Sequence, residues 1–407
     1  MAEADAASPS PWRQPPFRHY WLARLCTAAG FQMQAVVVGW HVYQLTGAAL
    51  DLGLVGLFTF LPRLLLTPLA GHAADHYPRR AVALLAQSVQ GAAVLGLALL
   101  SLSGHDSRQA VFVLAALCGA ARTFEMPATQ ALLPGIVPGA LFPRAVAASA
   151  SAVQAATLAA PAIAGVVLGL GTTTAYVATG LLYVAAALAM SRLRAQAAAP
   201  VAHREGFVEA FLAGVRFVRQ QRLLLGVMSL DLFAVLLGGA TALLPMIADR
   251  LLHTGTLGLG LLRSAPAAGA LLMSVWLGRH APRGAVGRQM LIAVAVFGLL
   301  TVALAASRWL WLSLLLLLGL GAADMVSVVI RQTMVQLGTP DAMRGRVSAL
   351  NAIFIGASNQ LGEFESGITA AWFGLVPSIA LGGLGTLLVV ALWWRLFPEL
   401  TAARGGE

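Results

Sequence analysis

The chain has 407 residues, of which 59% are hydrophobic and only 10% are charged. Because a soluble domain carries about 25% charged residues, this composition excludes the soluble class and indicates an integral membrane protein. The formal net charge of +10 rests on arginine alone, since the sequence contains no lysine. These arginines stand singly between apolar segments, a pattern that favours loops at a membrane surface over a nucleic-acid partner.

Apolar segments follow one another almost without interruption from Phe17 to Phe397. A helix needs about 20 apolar residues to cross a bilayer, and unbroken apolar runs favour helices over the alternating strands of a barrel. We therefore predict an all-α integral membrane protein with twelve transmembrane helices, called spans 1 to 12 below. The predicted spans cover residues 18–45, 50–74, 81–103, 109–136, 142–170, 172–192, 222–249, 255–279, 285–306, 308–337, 346–373 and 376–397.

The spans group into two six-helix halves, over residues 17–192 and 222–397. The linker at 193–221 contains apolar residues at helical spacing opposite a basic face, which predicts an amphipathic helix at the membrane interface. The tail at 1–16 lacks the apolar core of a signal peptide and is expected to be disordered. A second short tail covers 398–407.

Arginine placement predicts the orientation of the chain. All loop and tail arginines except Arg108, Arg250 and Arg308 fall on the side that carries both termini. Because cytoplasmic loops are enriched in basic residues, we expect both termini in the cytoplasm and the spans in a bacterial-type cytoplasmic (inner) membrane.

An internal repeat supports the two halves. A shift of 202 residues places the second half on the first without gaps, and the matches include rarer residue types. The matched pairs are Gln130 with Gln332, Pro138 with Pro340 and Arg144 with Arg346. Parallel repeats of six helices are typical of the major facilitator architecture.

Two short motifs resemble those of major facilitator transporters. Between spans 2 and 3, Gly71 and Asp75 are followed by the basic pair Arg79 and Arg80, with Pro78 where that family usually has glycine. The resemblance implies that this gating motif latches the cytoplasmic end, and Gly71 is expected to permit close helix approach.

In span 5, Pro161 and Gly165 resemble a degraded form of the helix-5 motif of proton-coupled exporters in the same superfamily. Small residues allow span 5 to pack closely on a neighbour, and proline is expected to kink it. An ordinary Ala-rich packing helix is the alternative.

Four segments of the second half, at 321–333, 340–347, 358–367 and 393–399, are similar to the branch of the superfamily that contains the enterobactin (catecholate siderophore) exporters. The resemblance implies a monomeric secondary transporter that exports a siderophore or a similar small organic molecule by alternating access, driven by protons and without a cofactor. A multidrug or macrolide-type efflux pump is one alternative, and a non-transporting membrane sensor or scaffold is another. No enzyme motif, phosphate loop or metal-ligand spacing occurs in the sequence.

Charged residues inside the spans are costly and are therefore candidate functional residues. Proton coupling needs a carboxylate that can gain and lose a proton, usually with an arginine nearby. Asp324 and Glu125 are favoured because Arg331 and Arg122 lie on their own helical faces, although a static ion pair is an open alternative. The full candidate set is Arg24, Arg122, Glu125, Asp231, Asp324, Arg331 and Glu363. His41, within span 1, is consistent with a proton relay or with a satisfied polar residue.

Overall fold

The computed structural model describes residues 10–193 and 207–404, and at residues 74, 75 and 207–210 it describes the backbone alone. Every regular element within these residues is helical. Residues 1–9, 194–206 and 405–407 lie outside the described residues. The tail predicted as disordered at 1–16 is ordered from residue 10 onward, with a 3₁₀ turn at Pro11–Arg13 and the start of span 1 at Pro15.

The all-α fold with twelve spans is confirmed, and outside span 7 the helix ends lie within a few residues of those predicted. Spans 1 to 6 are Pro15–Thr46, Ala49–His76, Arg79–Leu102, Arg108–Leu132, Phe142–Leu168 and Thr172–Ser191, and the linker helix is Phe207–Gln220. Span 7 begins as Arg222–Leu237, and spans 8 to 12 are Gly255–Arg279, Val286–Ala306, Leu310–Leu337, Asp341–Phe373 and Leu375–Leu396, before a last short helix at Pro398–Ala402.

Span 11 differs from the others in composition. Within the described residues, eleven helices or helical stretches are long and apolar enough to cross a membrane, and Asp341–Phe373 is not among them. This helix has 33 residues, more than the about 20 that a crossing requires. Its charges, which include Arg344, Arg346, Glu363 and Glu365, lower its mean hydropathy. Such charges are a functional signal rather than evidence against a span.

Span 7 is not the single continuous helix that the sequence predicts over 222–249. The α-helix ends at Leu237, and Gly238 and Gly239 precede a 3₁₀ turn at Ala240–Leu243, a short helical segment and a π-helical turn at Ile247–Leu251. A Cβ on Gly239 would lie 2.6 Å from the carbonyl carbon of Gly362 in span 11. Glycine is therefore required at this break by close backbone contact.

The chain forms two compact units. The first contains residues 1–41 and 58–202, and the second contains residues 42–57 and 203–407. In the first unit a buried cluster contains Phe17, Tyr20 and Met190. In the second, a core that includes Leu224, Met290 and Trp393 is covered by Phe211, Val215 and Val218 of the linker helix.

The end of span 1 and the beginning of span 2 belong to the second unit, which the boundaries predicted from sequence do not anticipate. Tyr43 donates a hydrogen bond of 2.5 Å to Asp249, and Arg250 Nη2 donates one of 2.9 Å to the carbonyl of Gly47. Farther along, Gly53 of span 2 meets Gly367 of span 11, where an added Cβ on Gly367 would lie 2.8 Å from the Gly53 Cα. Polar contacts in the turns and a glycine contact between the helices thus hold residues 42–57.

Candidate transport site

A buried ion pair joins spans 7 and 10 in the second unit. Arg331 Nη1 donates a charge-assisted hydrogen bond to Asp231 Oδ2, and the two residues are 2% and 5% exposed. Arg331 Nε is buried and has no hydrogen-bond partner among the described residues. A buried charge is tolerated only when it is paired, so each residue of this pair requires the other.

Two carboxylates share a small cavity next to this pair. Asp231 and Asp324 both line it, together with Ser327 and apolar residues of spans 7, 9 and 10. The space open to the centre of a water molecule is about 10 Å³, which is close to the minimum for one water. The Ser327 hydroxyl is buried and has no partner within the described part of the chain. The site therefore combines two acids, one cation and one hydroxyl around a cavity with room for about one water, and Asp324 is half-buried.

The sequence placed Arg331 and Asp324 on one face of span 10 without fixing the partner of either. In the structure the hydrogen bond of Arg331 goes to Asp231 in span 7. Helical spacing identifies residues on one face, but it cannot show which neighbouring helix faces them. Sequence reasoning also missed Ser327, although its position three residues after Asp324 places it on the same face.

In the first unit, Arg122 and Glu125 lie together on span 4, with Arg122 Nη1 3.9 Å from Glu125 Oε2. The guanidinium carbon of Arg122 lies 3.6 Å from the centre of the Phe31 ring, a cation–π contact with span 1. Glu125 is 1% exposed and accepts a hydrogen bond of 3.2 Å from Thr129. Arg24 Nε is buried and without a hydrogen-bond partner among the described residues.

Glu363 lies at the contact between spans 11 and 2. A Cβ on Gly56 would lie 2.8 Å from Glu363 Oε2, so the carboxylate occupies the space that a side chain at position 56 would fill. An alanine at position 56 would therefore require the flexible end of the Glu363 side chain to move.

The gating motif is only partly described. The side chain of Asp75 lies outside the described residues. Arg79 donates a hydrogen bond of 3.0 Å to the carbonyl of Ala131, and Arg80 donates to the carbonyls of Met190 and Ser191. Both arginines thus bind carbonyls at the ends of spans 4 and 6, where the helix dipole favours positive charge.

Gly71 and the span 5 residues Pro161 and Gly165 are the remaining residues of the two predicted motifs. No atom of the described residues lies within 4 Å of a Cβ built on Gly71, so the expected close approach is absent in this structure. Pro161 and Gly165 are both buried within a helix that runs without interruption from Phe142 to Leu168. Their place in a packed helix agrees with either an exporter motif or ordinary packing.

His41 bridges three elements of the first unit. Its Nδ1 lies 2.9 Å from the Tyr176 hydroxyl in span 6, and its Nε2 lies 3.4 Å from Asp106 Oδ2 in the turn before span 4. Both ring nitrogens therefore have a polar partner, which is the arrangement of a satisfied buried histidine.

A family comparison decides the class of the protein. The family profile described as transmembrane secretion effector, within the major facilitator superfamily, matches residues 6–403. The chain belongs to this family. The match includes both units and every residue of the sites described above.

One relative is the Enterobactin exporter EntS of Citrobacter koseri, which is 26% identical to this chain over 399 residues. The alignment covers 96% of this chain and 94% of that protein. The Enterobactin exporter EntS of Escherichia coli O139:H28 is also 26% identical, over 405 residues, with the same coverage. The similarity therefore extends over nearly the whole length of each protein.

Solved transporter structures share the fold. A bacterial homologue of the human lysosomal transporter Spinster, in an inward-facing and occupied conformation, has a TM-score of 0.75 at 13% identity and covers 96% of this chain and 99% of its own. A D-xylose-proton symporter has a TM-score of 0.73 at 12% identity, with coverage of 96% and 99%. These identities establish the fold alone. The family and these neighbours are transporters rather than enzymes.

Proposed function

We propose that this transporter exports a catecholate siderophore of the enterobactin class, or a similar small organic molecule, in exchange for protons by alternating access. The substrate class is supported by the named exporters that align over nearly the whole chain. The coupling is supported by the acid pair at Asp231 and Asp324, which is the observation that carries the proposal.

Charge balance explains how this cluster could couple to protons. Asp231 and Asp324 together carry one more negative charge than Arg331 neutralises when both are ionised. An uncompensated charge in a site with so little water is costly, and a bound proton removes it. Because Arg331 hydrogen-bonds Asp231, Asp324 is the acid that we propose carries the proton. Glu125 and Glu363 are further candidates.

The proposal includes a membrane location and a gate. Both termini lie in the cytoplasm, the membrane is the bacterial inner membrane, and one chain forms the complete pathway. The gating motif at Gly71, Asp75, Arg79 and Arg80 stabilises the cytoplasmic end of the first unit. The carbonyl contacts of the two arginines support this role.

The test uses cells that lack their own siderophore exporter but make enterobactin. The wild-type chain, Asp324→Asn and Asp231→Asn are expressed separately, and enterobactin in medium and cytoplasm is quantified by mass spectrometry with and without a protonophore. Asp341→Asn is the matched control, because Asp341 pairs with Arg344 at 2.7 Å on an exposed surface. We expect export by the wild type and the control, loss of export on adding protonophore, and background export by Asp324→Asn.

The outcomes separate the parts of the proposal. Export that persists with protonophore would contradict proton coupling while supporting the substrate class. Absence of export by a correctly inserted wild-type chain would contradict the siderophore assignment. A panel of macrolides and other drugs would then test the efflux alternative.

A further inference from the structure

A long apolar groove opens on the surface of the second unit between spans 8, 9 and 10. Its volume is about 610 Å³, within the about 300–1,000 Å³ range of pockets that hold small organic ligands. Trp276, Ile292, Val296 and Val326 form part of its wall. Because these helices cross a membrane, an apolar groove on their outer surface is open to the hydrocarbon chains of lipid.

The mouth of the groove is basic. His280 and Arg283 line it and belong to the turn between spans 8 and 9, and Arg279 ends span 8. The ring of His280 stacks on Trp276, with centroids 4.9 Å apart and planes at 18°. Among the described residues neither the Arg279 nor the Arg283 side chain has an ion-pair partner, and both are exposed. At the turn between spans 8 and 9, the apolar groove thus ends at arginines that have no ion-pair partner among the described residues.

The first unit contains a corresponding groove that differs at its mouth. Its volume is about 490 Å³, and its residues Leu117, Ala120 and Phe124 correspond to 319, 322 and 326 under the repeat shift. There, however, Arg79 and Arg80 donate to backbone carbonyls of spans 4 and 6. Arg79 and Arg80, near the first groove, therefore stabilise helix ends. Arg279 and Arg283, at the groove of the second unit, are available to a ligand.

We propose that the groove between spans 8, 9 and 10 binds an anionic phospholipid, with an acyl chain along its apolar wall and the phosphate at Arg279 and Arg283. The two parts of the site match the two parts of such a lipid. Basic pockets beside transmembrane helices attract anionic headgroups. The groove meets the candidate transport site at Ala323, which lines both, so a bound lipid would lie directly behind Asp324.

The test measures lipid binding to the purified full-length chain and needs no transported substrate. Native mass spectrometry compares phosphatidylglycerol with phosphatidylcholine as added probes. We expect the wild type to retain phosphatidylglycerol preferentially and Arg279→Gln/Arg283→Gln to lose about tenfold or more in its affinity. Val296→Trp, at a groove residue that is 39% exposed, fills the groove at little cost to packing and should weaken binding of the same lipid.

Arg18→Gln/Arg192→Gln is the matched control, since it removes two exposed arginines away from the groove and should leave phosphatidylglycerol binding unchanged. Equal retention of the two lipids by the wild type, or unchanged binding in Arg279→Gln/Arg283→Gln, would overturn the proposal. A wild-type dimer without lipid adducts, disrupted by Val296→Trp, would also overturn it and assign the groove to a second copy of the chain.

Discussion

At the scale of single residues, the pair between Asp231 and Arg331 has the largest predicted effect on stability. Removing one partner leaves the other charge buried and unpaired, which costs about 3–5 kcal/mol, whereas an apolar pair of similar size costs far less. We expect Asp231→Leu and Arg331→Met each to lower the thermal unfolding midpoint in detergent more than the double variant does. If instead the losses of the two single variants add up in the double variant, the result would contradict direct coupling between Asp231 and Arg331.

The control for this cycle is the exposed pair between Asp341 and Arg344, whose side chains are 88% and 47% exposed. Surface ion pairs contribute about 0–1 kcal/mol. Single substitutions there should therefore leave the unfolding midpoint nearly unchanged.

The residue scale also shows what sequence could and could not predict about the site. The sequence identified Asp231, Asp324 and Arg331 because charges inside apolar spans are costly and therefore informative. It could not identify which of them pair, because the partner of Arg331 lies 100 positions away on another helix. Packing between helices, rather than spacing within one, decides that contact.

At the scale of elements, the glycine contact between spans 2 and 11 predicts a sharp positional effect. A Cβ on Gly367 would lie 2.8 Å from the Gly53 Cα and 2.9 Å from the carbonyl oxygen of Ala49. Since both are backbone atoms, Gly367→Ala must separate the helices, and overpacking of this kind costs about 1–3 kcal/mol. We expect a lower unfolding midpoint in detergent.

Gly356→Ala is the matched control, because Gly356 lies on the same helix and a Cβ there would meet no described atom within 4 Å. Alanine also has a higher helix propensity than glycine. The thermal unfolding midpoint of Gly356→Ala in detergent should therefore stay the same or rise slightly. Equal losses for the two variants would contradict the contact with span 2 as the cause of the effect of Gly367→Ala.

Elements were predicted well where the hydrophobic signal was strong and poorly where the backbone departs from a regular helix. Among the described residues, eleven of the twelve spans meet the length and hydropathy of a membrane crossing. The break in span 7 does not follow from apolar length, although Gly238, Gly239 and Pro245 mark it in the sequence. Membrane helices tolerate glycine and proline when neighbouring helices satisfy the backbone, so these residues alone do not predict a break.

At the scale of the whole molecule, a transporter fold contains an acid cluster within one of its two units. The repeat, the number of spans and the family match concern the entire chain. The assignment of residues 42–57 to the second unit shows that contacts in three dimensions need not follow the boundary that the repeat suggests. Tyr43 and Gly47 make those contacts through side-chain and backbone groups that have no signature in hydropathy.

Proton movement linked to substrate movement is the central claim, and purified protein in liposomes tests it most directly. Enterobactin is added on one side, and a pH-sensitive dye on the other side reports proton flux while mass spectrometry reports the substrate. We predict that wild-type protein moves protons opposite to enterobactin and that Asp324→Asn does not. Enterobactin transport by the wild type without any proton movement would contradict this claim.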